Sequence, residues 1–295
     1  MTVLSTQEAI DRINAVFGRH PHTRALHAKG SFYNGTFTAT PDAARRCIAG
    51  HLQGEEVPIL VRWSNGGGNP SVPDKAPDVR GMAVSFTLPD GSSTDLLGQT
   101  APRFPVRTPE DFVAFTEAAR KPALLPIYLL KHRSAVGPLV ASAKAKALAF
   151  PGSYAAPTFY PIHAYAWIAQ DGTRRWVRYV LKPVAFQPSG EKFGGPDALR
   201  DEMTARLGKG PVTFDLRVTV AADDDDPHDP MSVWKGAEEF SAGTLSVYGV
   251  AVNPEADGGL KVFDPTRIVE GIELSDDPIL RYRALAYSES AKRRA

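Results

Sequence analysis

IHAYAWIAQDGTRRWVRYVLK, residues 162–182, consists of two runs in which apolar and aromatic side chains recur at every second position, split by Asp171-Gly172. A period of two puts alternate side chains on one face of an extended strand, and an Asp-Gly pair between such runs predicts a hairpin with a type I′ turn. The same signature recurs outward at residues 26–40, 57–64, 79–88, 212–221 and 244–252, with turn formers such as Pro89-Asp90-Gly91 between runs. Regular helices do not separate these runs, which argues for antiparallel pairing. About eight strands suffice to close a barrel, so the expected fold is α+β: an antiparallel eight-stranded β-barrel with attached helices. No repeat or composition break divides the chain, and residues 1–295 are expected to form a single domain.

Helix signals surround the strand runs. Ser5 and Glu8 make a capping-box pattern, Ile10, Ile13 and Phe17 share a stripe, and Gly18 sits at a stop, which predicts a helix over residues 5–18. Thr108, Pro109 and Asp111 open another that runs to Lys121, and shorter helices are expected within 40–52 and 197–208. The last helix, 278–294, has an acid at its start and bases at its end, which suits the helix dipole.

Composition excludes several functions. With 34 basic and 33 acidic residues the formal net charge is +1, so bulk charge points to neither a nucleic-acid nor a membrane partner, and any positive charge that matters is local. The single cysteine, Cys47, excludes an intramolecular disulfide and a thiolate cluster and is expected to be buried and inert. Residues 1–20 lack the basic start and apolar run of a secretory leader. The longest apolar candidate for a membrane span, residues 122–131, is broken by Pro126 and flanked by lysines. A cytoplasmic location is the default expectation.

The terminal helix carries RYRALAY, residues 281–287, in which Arg283 stands four positions before Tyr287 and shares its helical face. A phenol ordinarily keeps its proton to pH ~10, but a neighbouring guanidinium that hydrogen-bonds the oxygen favours the phenolate, a hard anionic ligand for ferric iron. A surface Arg-Tyr stack is the plainer alternative. RALHAKG, residues 24–30, puts Arg24 and His27 near the start of a strand, where alternation sends them to opposite sides. His27 there serves as general base, metal ligand or hydrogen-bonded core residue. In VRWSNGGGNP, Arg62 and Ser64 share a strand face, and the glycines read as a flexible turn because no Lys-Ser or Lys-Thr follows them. DDDDPHDP, residues 223–230, reads as a solvated loop ahead of a metal site, and His20, His22, His51 and His132 as surface residues.

RALHAKG, VRWS, DVRGMAVSF, DLLGQTAPRFPVR and RYRALAY occur in the order and approximate spacing of the haem catalases. From about residue 20 onward the sequence most resembles the short catalase-related peroxidases. The resemblance implies haem b, with Tyr287 as the axial ligand by which catalases are known and Arg283 holding it as phenolate. It places His163 and Asp277 in the hydrogen-bond network behind that ligand. It further implies His27 as the distal acid-base group, Ser64 as the residue orienting its ring, and Arg24, Arg62 and Arg294 as partners of the two propionates. Phe112 is expected over the porphyrin and Phe104 at an apolar distal position.

The implied activity is reduction of hydrogen peroxide or an organic hydroperoxide, with a small organic electron donor as the other partner. Where large catalases carry a distal asparagine this chain has Gln99, one methylene longer, and Leu26 replaces the usual valine. Weak catalase disproportionation is the corresponding expectation. The large enzymes' extensions lie outside the resemblance, which puts their tetramer and any bound NADPH in doubt and leaves a homodimer as the assembly considered. Two other readings keep the cofactor: a hydroperoxide isomerase resembling allene oxide synthase, and a haem carrier or sensor. The carrier has no use for His27 and Ser64.

Overall fold

The computed structural model describes residues 4–121 and 123–294. The elements are α1 (Thr6–Phe17), β1 (Gly30–Ala39), α2 (Pro41–Arg46), β2 (Val57–Asn65), β3 (Arg80–Thr87), β4 (Ser93–Gln99), α3 (Pro109–Ala119), α4 (Leu125–Lys131), α5 (Val136–Lys144), β5 (Tyr165–Ile168), β6 (Arg174–Pro183), α6 (Ala198–Leu207), β7 (Val212–Val220), β8 (Glu238–Val250), β9 (Ile272–Leu274) and α7 (Pro278–Lys292). All nine strands form one antiparallel sheet in the order β4-β3-β2-β1-β8-β7-β6-β5-β9. The seven alternating runs read from the sequence correspond to β1–β3 and β5–β8; β4 is not among them, and β9, three residues long, is too short to register. The sheet curls on itself, and residues 159–160 bridge β4 to β6 through Gln99 and Leu181.

Alternation fixes which face is core. Tyr33, Phe37, Val61, Trp63, Val84, Tyr165, Trp167, Leu181 and Phe214 point inward into one buried cluster. Capping follows the expected chemistry: the Ser5 hydroxyl accepts from Glu8 N, the Thr108 hydroxyl from Asp111 N, and Asp277 from Ile279 N and Leu280 N. Each such cap is worth about 1 kcal/mol.

Three local expectations require correction. The loop after β5 is not a type I′ turn: Gly172 N donates to Ala169 O, Ala169 N to Thr173 O, and of Asp171 and Gly172 only the glycine has positive φ, at 79°. That is a type I turn closed by a left-handed glycine. His51 is not on the surface; it is 5% exposed and packs on Phe86 with ring centroids 5.0 Å apart. Residues 24–28 are not strand but an irregular segment preceding β1. Cys47 is buried, its thiol donating to Gly271 O, and burial pushes its pKa up to about 11. No helix among the described residues is long and apolar enough to cross a membrane.

Candidate active site

A cavity of about 480 Å³ lies between the outer face of β2–β4 and the helices α1, α3 and α7. Its floor is a row across the sheet, in which Gly30 pairs with Ser64, Ser64 with Gly81, and Gly81 with Gln99. Residues opposite one another on antiparallel strands share a face, so Ser64 and Gln99 both face the cavity with the bare backbone of Gly81 between them. The His27 ring occupies that gap. A Cβ built on Gly81 would stand 2.8 Å from His27 Nδ1 and Cε1 and 2.8 Å from Ser64 Oγ.

His27 is held from several directions. Its Nδ1 lies 3.0 Å from Ser64 Oγ, and its backbone N donates to Gly66 O while Ala28 N donates to Gly67 O. The backbone at His27 is left-handed, with φ 54°. The glycine run read as a flexible turn is therefore a fixed clamp on residues 25–28; a Cβ on Gly68 would come within 2.1 Å of Ala25 O. Asp78 adds to it by accepting from Gly67 N. Because residues 24–28 are not a strand, Arg24 and His27 both reach the cavity instead of facing opposite ways. Burial, reinforced by Arg62, Arg283 and Arg24, pushes the imidazole pKa down to about 3, so the ring stays neutral.

The opposite wall is α7. Helical spacing brings Arg283 Nε to 2.8 Å from Tyr287 Oη, with Nη2 of the same guanidinium donating to that oxygen as well. The remaining arm, Nη1, lies 2.8 Å from His163 Nε2, and His163 Nδ1 lies 2.6 Å from Asp277 Oδ2. A guanidinium only donates, so His163 Nε2 accepts and its proton sits on Nδ1, donated to Asp277. Burial lowers the His163 pKa against the opposing pull of Asp277, in keeping with a neutral ring. Asp277 also caps α7, so one carboxylate sets both the helix start and the imidazole. Tyr287, Arg283, His163 and Asp277 thus form a continuous chain.

A third cluster is cationic. Arg24 and Arg62 lie over the Phe32 ring at 5.9 and 5.5 Å, and burial pushes their pKa values down to about 10 and about 9. Arg24 and Arg294 share one carboxylate, Glu255, at 2.7 Å each. Arg24 Nη1 and Arg62 Nε are buried without a hydrogen-bond partner. Glu255 is a site residue the sequence reading missed; a lone glutamate in a loop carries no periodicity or spacing signal. Phe104 and Phe112 stack with centroids 5.3 Å apart and line the cavity. Every sequence-derived site residue except His163 and Asp277 lines this cavity, and those two stand behind Arg283.

A catalase family model matches residues 1–295. The chain belongs to the catalase family. Among similar proteins, a catalase-related peroxidase of Mycolicibacterium paratuberculosis is 46% identical over 299 residues, covering 99% of this chain and 95% of that protein. A catalase-related peroxidase of Synechococcus elongatus is 27% identical over 311 residues, covering 99% and 89%. Among solved structures, a fungal catalase superposes with a TM-score of 0.80 at 21% identity, covering 98% of this chain and 61% of its own. Catalase A from Saccharomyces cerevisiae gives 0.81 at 20%, covering 100% and 65%. The chain therefore spans less than two thirds of those solved catalases, and the likeness to them concerns the fold.

Catalase-family membership makes the chain an oxidoreductase that acts on peroxide. The family implies a haem, and the cavity fits one. Three guanidiniums against one carboxylate leave two unbalanced charges, the number that two propionates carry, and two buried N–H groups there lack acceptors. Uncompensated buried cations are costly, so such a cluster suits an anionic ligand.

Of the acidic loop, Asp225 accepts from Lys235 N and Gly236 N, Asp226 from His228 N, and Asp229 pairs with Arg107 at 2.7 Å. These three carboxylates are engaged within the protein.

Proposed function

We propose that the chain is a haem b peroxidase, working as one haem-binding unit, that reduces hydrogen peroxide or an organic hydroperoxide with electrons from a small organic donor. The observation that carries this reading is that Tyr287 with Arg283 and His27 with Ser64 line one cavity. In this reading Tyr287 Oη would ligate the haem iron. Arg283 supplies its positive charge and two donors to that oxygen, and His163 and Asp277 fix the guanidinium. Arg24, Arg62 and Arg294 would hold the propionates, and Phe104 and Phe112 would pack against the porphyrin. When bound, the haem supplies an iron centre that takes oxidising equivalents from the peroxide and passes them to the donor.

His27 moves the proton. Its Nε2 takes the proton from the near peroxide oxygen and returns it to the leaving oxygen, which requires a neutral ring with the other proton on Nδ1. Ser64 Oγ, 3.0 Å from Nδ1, accepts that proton's hydrogen bond and fixes the tautomer. Gln99 is held by backbone pairing to Gly81 and Tyr160, and its longer side chain carries its donor about 1 Å or more from where an asparagine would. A second hydrogen peroxide is then poorly oriented, Leu26 narrows the approach, and donor oxidation dominates over disproportionation.

The test supplies haem-loaded protein with hydrogen peroxide or cumene hydroperoxide, with and without a phenolic donor, while oxygen and oxidised donor are recorded. Donor oxidation with little oxygen is expected. Oxygen release that accounts for all the peroxide consumed, indifferent to donor, contradicts the reading. The apolar extension of the cavity along Ile10, Ile13 and Phe17 of α1 and Val113 of α3 favours one alternative, isomerisation of a long-chain hydroperoxide. Rearranged product formed without any donor would identify it.

A further inference from the structure

The balanced net charge conceals a local asymmetry. From Ala118 to Gln170 the sequence contains no Asp or Glu, while Arg120, Lys121, Lys131, Arg133, Lys144 and Lys146 fall within it. All six are exposed, and none forms an ion pair among the described residues. The nearest recorded acid contact is Asp111, 3.6 Å from His132.

The same segment concentrates exposed apolar side chains. Of the fourteen large hydrophobic residues exposed among the described residues, seven lie between Leu124 and Phe150, including Leu130 at 70% and Ile127 at 51% exposure. Geometry explains the sidedness. Tyr128 of α4 packs on Phe115 of α3, ring centroids 5.7 Å apart, and its hydroxyl donates to Asp111 O, so Leu124, Ile127 and Leu130 face outward. On α5, Pro138 and Ser142 are buried while Val136 and Val140 are exposed. Singly exposed apolar residues are ordinary, but clustered ones mark an interaction surface.

We propose that the α4–α5 face docks the protein on an anionic lipid bilayer. Apolar side chains projecting from short helices among unpaired Lys and Arg are the pattern of interfacial membrane binding, with the cations drawn to acidic headgroups. Self-association through the same face is disfavoured, because a two-fold contact would oppose two such cationic faces. The face also adjoins the cavity: Arg120 and Leu148 belong to both, and Leu148 O accepts from Asp78 N beside the distal clamp. Docking turns the cavity mouth toward the bilayer, where acyl-chain hydroperoxides reside; this step rests on the peroxidase reading, whereas docking itself does not.

Flotation of the full chain with vesicles at physiological ionic strength tests the proposal. The protein is expected to float with phosphatidylglycerol-rich vesicles and not with phosphatidylcholine alone. The variant K131E/R133E/K144E/K146E is expected to bind roughly 1,000-fold more weakly or worse, at about 1 kcal/mol for each of the four cations near the surface. The variant I127S/L130S/V140S is expected to lose binding while keeping its urea midpoint. Both should turn over hydrogen peroxide in solution normally, which separates failure of docking from failure of the peroxidase reading. Wild-type protein that stays unbound, or a charge-reversed variant that floats equally well, overturns the proposal. A solution dimer that I127S/L130S/V140S converts to monomer overturns it too, assigning the face to a second copy.

Discussion

Gly81→Ala places a single methyl group under the His27 ring. The added Cβ stands 2.8 Å from His27 Nδ1, His27 Cε1 and Ser64 Oγ, against 3.4 Å at the inner edge of ordinary contact, so the ring must move by about 0.6 Å. It cannot move freely, because residues 27 and 28 are hydrogen-bonded to Gly66 and Gly67 and Ser64 is locked in the β2–β3 ladder. Ala is intrinsically better than Gly within a strand by about 0.5–1 kcal/mol, so any loss is steric. Overpacking is expected to cost about 1–3 kcal/mol of stability. With His27 as the proposed proton-transfer group, a displacement this large is expected to cost roughly 100-fold in kcat/KM for peroxide. The assay is donor oxidation by haem-loaded protein at matched haem occupancy, with the Soret band reporting that the cofactor is still bound. Turnover within threefold of wild type would refute the claim that Gly81 sets the position of His27.

Three further outcomes are expected. His27 stays neutral until pH approaches about 3, so kcat/KM for peroxide should be flat from about pH 8 to about pH 5; an acid limb centred near the free histidine value of ~6.5 contradicts this. Buried His27, His51 and His163 have lowered pKa values, so the unfolded chain takes up protons that the fold refuses and stability falls as pH drops below ~6.5, by up to about 1.4 kcal/mol per pH unit for each. Urea midpoints at several pH values measure this slope, and His51→Leu should reduce it by one proton's worth. Glu255→Gln strips Arg24 and Arg294 of their shared carboxylate, which should destabilise haem-free protein by about 3 kcal/mol and haem-loaded protein by much less; equal losses refute the propionate assignment.

What the sequence revealed follows from range. Arg283 and Tyr287 share a helix, and a fixed pitch makes their contact legible from spacing alone. Ser64 and Arg62 alternate on one strand and were equally legible. The contact from Arg283 to His163 spans 120 residues, and only the family pattern brought the two together. His27 was placed on a strand because its neighbours alternate, yet three glycines and a left-handed backbone bend the chain there. Side-chain patterning cannot report such backbone-to-backbone pairing. His51 looked like a surface residue because polarity is a poor guide where an imidazole packs between Phe37 and Phe86. Glu255 carried no signal of any kind, since its meaning lies in the two arginines that converge on it.

The most direct test compares the optical spectra of haem-loaded wild type and Tyr287→Phe. A tyrosinate-ligated high-spin ferric spectrum that is lost in the variant is the predicted result, with Arg283 Nε donating from 2.8 Å to the phenolic oxygen proposed as ligand. Identical spectra from the two proteins would show that another group binds the iron and would contradict the assignment of the whole α7 wall.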